Sequence, residues 1–110
     1  MLKKFIIERN IEGVGNSSEE DFRKMTGSSN EVLRNLGADI QWRESYVTGD
    51  KVYCVYLAKD ENILRDHAKQ AGFPIDKISE VKTVLDPSTT GLQGFQRDLS
   101  SKTKQTEIRQ

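Results

Sequence analysis

The sequence predicts an α+β domain of βαββαβ order, with a four-stranded antiparallel sheet and two helices. Three observations predict it. Ala38–Val47 and Lys51–Leu57 are rich in aromatic and β-branched residues, as strands are. Thr48-Gly49-Asp50 between them is a short, glycine-containing hairpin connection. A helical segment then leads to a second apolar run at Ile78–Leu85, and one more strand and helix precede the hairpin. This order is that of the ferredoxin-like split βαβ. It names a fold and no chemistry.

The elements follow in order. Leu2–Ile11 reads as the first strand, with Phe5 and Ile7 on one face and Lys4, Ile6 and Glu8 on the other. Gly13-Val14-Gly15-Asn16 reads as a loop; residue 18 is Ser, so the dinucleotide fingerprint is incomplete. Ser17-Ser18-Glu19-Glu20 is a capping-box pattern. Phe22, Met25, Ser29, Val32, Leu33 and Leu36 then recur at helical spacing, with Gly27 a place for a kink and Gly37 a natural stop. The second helix begins near Asp60, buries Ile63, Leu64, Ala68 and Ala71, and ends at Gly72. Phe73-Pro74 turns the chain into the fourth strand, which Asp86-Pro87 ends. Residues 1–87 form the domain. Residues 88–110 are a polar tail in which Leu92, Phe95 and Leu99 offer a short docking helix as the alternative to a mobile segment.

Composition bounds the function. A chain of 110 residues is one domain with a modest core. Seventeen Lys and Arg balance seventeen Asp and Glu, which argues against a nucleic-acid partner. One cysteine excludes an internal disulfide and fits a reducing compartment. The apolar run at the N-terminus is too brief for a signal peptide or a membrane span. The expectation is a soluble cytoplasmic protein without a membrane partner.

Strand parity sorts the side chains. Val55, Leu57, Val81, Thr83 and Leu85 suit the face covered by helices. Trp42, Glu44, Tyr46, Cys54, Tyr56, Glu80 and Lys82 fall on the open face with Glu8, provided that no bulge intervenes. Trp42, Tyr46, Tyr56 and Val52 would then expose a large apolar patch. A homodimer with its sheets facing each other covers it; the tail is the other candidate.

Few residues carry chemistry. His67, the one histidine, sits at the edge of the apolar stripe. It is either a satisfied boundary histidine or a metal ligand or general base. Cys54 reads as a buried strand cysteine. Glu8, Glu44 and Glu80 come from three strands, and converging beside Tyr46 and Cys54 they would hold a divalent ion; the plainer alternative pairs them with Arg9, Arg43 or Lys82. Parity puts His67 near the opposite face, away from the three glutamates.

Ser45-Tyr46-Val47, Tyr53-Cys54-Val55-Tyr56, His67-Ala68, Gly72-Phe73-Pro74, Ser79-Glu80-Val81 and Asp86-Pro87 occur in this order. Together they resemble a family of small bacterial proteins of unknown function with a nickel-binding member. The resemblance spans residues 1–87 and is densest over 42–87. It implies a ferredoxin-like subunit assembled as a dimeric α+β barrel, and binding of nickel or another divalent metal.

The leading expectation is thus a homodimeric ligand-binding protein, with a divalent metal held by His67 or by Glu8, Glu44 and Glu80. The alternative is a small-molecule binder or cofactor-independent enzyme with Trp42, Tyr46, Cys54 and Tyr56 about the ligand and His67 as acid or base. The topology also matches the RNA-recognition module, but Lys51–Leu57 lacks its glycines and paired phenylalanines.

Overall fold

A computed structural model of the chain describes residues 1–91. They divide into two units, Met1–Glu80 and the part of Val81–Gln110 that is described. The expected docking helix at Leu92, Phe95 and Leu99 lies outside the described residues.

The first unit contains β1 (Lys3–Asn10), α1 (Glu19–Leu36), β2 (Ile40–Val47), β3 (Lys51–Ala58), α2 (Glu61–Ala71) and β4 (Lys77–Glu80). The sheet order is β2-β3-β1-β4, and every pairing is antiparallel. This is the ferredoxin-like arrangement the element order predicts. Ser18 caps α1 by accepting a hydrogen bond from the Asp21 amide at 3.0 Å. Asp60 caps α2 in the same way through the Ile63 amide, also at 3.0 Å. Gly27 lies inside α1 without ending it. Gly72 closes α2 in the left-handed conformation, with φ of 79°.

The bulk of the core is made by one face of the sheet and by α2. Phe5, Ile7, Val52, Cys54, Tyr56 and Ala58 from the strands are buried with Ile63, Leu64 and Ala68 from the helix. Phe22, Leu33 and Leu36 of α1 pack against this cluster while half-buried.

The register corrects the expected faces. Cys54 pairs with Ile7 and Tyr56 with Phe5, so both lie on the helix-covered face and not on the open one. Tyr53, Val55 and Leu57 take the open face instead. In β2, Trp42 pairs with Tyr56, whereas Glu44 pairs with Val55. Arg43 is therefore an extra residue in the ladder, a bulge that reverses the side-chain alternation after Trp42. Trp42 therefore lies on the helix-covered face and not on the expected open one, whereas Glu44 and Tyr46 take the open face as expected. Glu80 pairs with Phe5, which puts it on the helix side, away from Glu8 and Glu44. The fourth strand is also shorter than expected. It stops at Glu80, opposite Phe5, and leaves Lys3 and Lys4 of β1 without a β4 partner.

In the second unit, Pro87–Thr90 form one 3-10 turn. Asp86 caps it by accepting from the Ser88 amide at 2.8 Å, and Thr89 Oγ1 accepts from the Asp86 amide at 2.8 Å. The Ser88 hydrogen bonds hold the Asp86 carboxyl below its ordinary value.

The loop after β1 is closed by a backbone contact. The Gly15 amide donates to the Gly49 carbonyl at 3.0 Å. A Cβ on Gly15 would stand 2.6 Å from the Thr48 carbonyl oxygen. Gly15→Ala is expected to lower stability by about 1–3 kcal/mol through this overlap, read as an earlier urea midpoint. Gly27→Ala, where a Cβ meets nothing within 4 Å, should leave the midpoint unchanged or raise it.

Candidate functional site

Arg9 follows Phe5 and Ile7 at strand spacing, so β1 carries its guanidinium onto the helix-covered face. It is 2% exposed. Its Nη1 donates to the Pro74 carbonyl at 2.8 Å and its Nη2 to the Tyr56 hydroxyl at 3.2 Å. The guanidinium carbon stands 5.6 Å from the centroid of the Phe73 ring, within cation–π range. Among the described residues no carboxylate lies within ion-pair distance of Arg9.

Behind Tyr56 lies a second polar pair. His67 is 0% exposed, deeper than the boundary position its spacing suggested, because it sits four residues after Ile63 on the buried stripe of α2. Its Nε2 is 3.0 Å from Ser29 Oγ on α1, and its ring meets that of Tyr56 edge-on at 5.5 Å. Nδ1 is buried and has no hydrogen-bond partner among the described residues. Burial, reinforced by the positive charge of Arg9, lowers the His67 pKa to about 4. Burial pushes the Tyr56 hydroxyl up to about 12, against the opposing pull of Arg9. At neutral pH both rings are uncharged, so Arg9 is the fixed charge of this layer.

A cavity of about 90 Å3 opens beside Arg9, between α1 and the helix-covered face of the sheet. Phe22, Met25, Thr26 and Ser29 wall it from α1; Trp42, Ser45 and Val47 from β2; Val52, Cys54 and Tyr56 from β3. The bulge at Arg43 makes this wall, since it returns Ser45 and Val47 to the face that Trp42 occupies. The Trp42 indole N–H donates to Ser45 Oγ at 2.9 Å across the bulge and fixes the ring.

Of the expected ligand-binding residues, Trp42, Cys54 and Tyr56 meet at this cavity, and Tyr46 does not. Tyr46 lies on the open face, 55% exposed, with its hydroxyl donating to the Glu44 carboxylate. That hydrogen bond raises the Tyr46 pKa. The expected metal ligands are dispersed. His67 is in the core, Glu80 is on the helix side of β4, and Glu8 and Glu44 are on the open face with β3 between their strands. The backbones of Glu8 and Glu44 are thus two strands across and two residues along from each other, roughly 12 Å apart. Glu8 faces Lys51, whose Nζ is 3.9 Å away. Among the described residues no three His, Cys, Asp or Glu side chains are placed to hold a metal ion. A nickel centre built from the described residues of one protomer does not fit this arrangement.

Sequence reasoning missed Arg9, although the signal was present: an arginine two residues past Ile7 shares the parity of Phe5 and Ile7. Ser29 was placed on the buried stripe of α1, but its contact with His67 needs both helices.

The profile of a family described as "Nickel responsive protein SCO4226-like" matches residues 5–81. The chain belongs to this family. The match agrees with the resemblance carried by residues 42–87. The crystal structure of SCO4226 from Streptomyces coelicolor A3(2) superposes with a TM-score of 0.64 at 13% identity, covering 74% of this chain and 99% of that one. At that identity the likeness is one of fold. No curated protein sequence matches the chain. Among the described residues no helix is long and apolar enough to cross a membrane.

The buried histidine makes stability depend on pH. Its folded pKa, about 4, lies below the ordinary 6.5, so between these values the unfolded chain binds the extra proton. The contribution is fully present above pH 6.5 and is lost as pH falls toward 4. Urea unfolding is expected to show a loss of about 2 kcal/mol between pH 7.5 and pH 5 from this group. His67→Gln should flatten that dependence.

Proposed function

We propose that this chain is a small-ligand-binding member of the nickel-responsive family that works as a homodimer, with an organic ligand in the cavity between α1 and the sheet. The observation that carries the reading is the cavity itself: an apolar pocket whose lining includes the polar residues Arg9, Ser29 and Tyr56. Binding fits the site better than catalysis. His67, the natural acid or base, is held neutral behind Tyr56 and is not among the cavity's lining residues. The open sheet face supports the dimer. Both helices of the first unit pack on the other side, leaving Ile6 36% exposed beside the half-buried Tyr53, Val55 and Leu57.

Ligand-observed NMR with a mixture of small organic fragments tests the cavity. Saturation transfer is expected from the full chain and is expected to vanish in Thr26→Trp, which places an indole at an exposed position of the cavity wall. Transfer that survives this substitution places the ligand elsewhere.

A second reading, nickel binding, draws on the family to which residues 5–81 belong. Since the described residues of one protomer lack a donor set, the ion would lie between protomers, held by the open-face carboxylates Glu8 and Glu44. Calorimetric titration with nickel is then expected to show binding that disappears in a Glu8→Gln/Glu44→Gln variant. It should disappear as well in Ile6→Glu, which sets a charge into the facing sheets and should give a monomer by sedimentation. Nickel binding unchanged in both variants would sink this reading.

A further inference from the structure

We propose that the cavity takes a small organic monocarboxylate, whose carboxylate pairs with the guanidinium of Arg9 while its apolar body lies against Phe22, Met25, Trp42 and Val52. This rests on the reading of the cavity as a ligand site and assigns the chemistry of its ligand.

Arg9 is the starting point. A guanidinium stays charged at any pH a folded protein meets. Burying such a charge is costly unless an opposite charge accompanies it. Here the acceptors are neutral, the Pro74 carbonyl and the Tyr56 hydroxyl, and the ring face of Phe73 is the other contact. These two hydrogen bonds use two of five N–H donors. Arg9 is also among the residues that line the cavity, which puts its side chain beside an anion bound there. A planar carboxylate matches its donor fork.

The walls narrow the class. Apart from Arg9, the lining residues carry no charge: they are apolar or bear a hydroxyl, a thiol or an indole. One guanidinium neutralises one negative charge. A phosphate dianion would bring a second, unpaired charge into an apolar wall, which burial opposes. A metal cation would meet Arg9 as a like charge. A monoanion with an apolar body satisfies both the charge and the wall. Ser29, Ser45 and Thr26 add hydroxyls that can donate to a second carboxylate oxygen or to a substituent. His67 does not compete for the anion, because Tyr56 stands between it and Arg9 and its ring is uncharged at neutral pH.

The test compares matched pairs on the full chain: hexanoate with hexanamide, benzoate with benzamide, and phenylacetate with phenylacetamide. Binding is followed by calorimetry and by the fluorescence of Trp42, the one tryptophan and a wall of the cavity. At least one carboxylate is expected to bind ten or more times tighter than its amide. That preference should vanish in Arg9→Gln, whose fold is checked by circular dichroism. If Arg9→Gln does not fold, the wild-type ratio alone decides. Equal binding of acid and amide overturns the carboxylate assignment and leaves the cavity reading standing. Binding of neither, with no change in Trp42 fluorescence, overturns both.

Discussion

Arg9 brings a permanent charge into the layer between the sheet and the helices, and its neighbours are arranged around that charge. Its two hydrogen bonds reach β3, at Tyr56, and the segment between α2 and β4, at Pro74. One side chain on β1 thus ties three parts of the fold that are far apart in sequence. The same charge bears on the next layer. Tyr56 has its hydroxyl toward Arg9 and its ring edge-on to His67, which meets Ser29 of α1. The chain of contacts runs from sheet to both helices, and its one charged member is Arg9. Such a polar network in a small core contributes little net stability for its desolvation. It does make the arrangement specific, since every member has a fixed partner.

The second constraint is the bulge at Arg43. Without it, Glu44 and Tyr46 would share the face of Trp42, and Ser45 and Val47 would point away. With it, Trp42, Ser45 and Val47 line one wall of a cavity, while Glu44 and Tyr46 join the open face. A single inserted residue therefore divides the expected aromatic and acidic cluster in two. One part is a partly open, mainly apolar pocket beside a cation. The other is an exposed surface of carboxylates and half-buried apolar groups. Both functional readings descend from that division: an organic anion suits the first part, and a partner protomer with a shared ion suits the second.

Membership of the nickel-responsive family and the placement of the donors pull in different directions. Nickel favours nitrogen and sulfur ligands. The imidazole of this chain is in the core with one nitrogen turned to Ser29, and its thiol lies on the cavity wall, on the opposite face of the sheet from Glu8 and Glu44. The family relationship specifies the scaffold; the described side chains leave the nitrogen, sulfur and open-face carboxylate donors apart on it.

Much of the architecture was legible in the sequence. Alternation in Lys3–Asn10, the caps at Ser18 and Asp60, the stop at Gly72 and the hairpin at Thr48–Lys51 are local signals, each set by a few neighbouring residues. They determine the order βαββαβ and, with the connection rules for such units, the sheet order. What only the tertiary structure decided is which face each strand presents. Parity in β3 is two-fold ambiguous, because Val52, Cys54, Tyr56 and Val55, Leu57 are both apolar sets; pairing with Phe5 and Ile7 settles it. The bulge has no marker in its own residues, since Arg43 suits an ordinary strand position as well as an extra one. Local propensity fixes a strand's existence, whereas register is a property of two strands at once, and the candidate site is built from register.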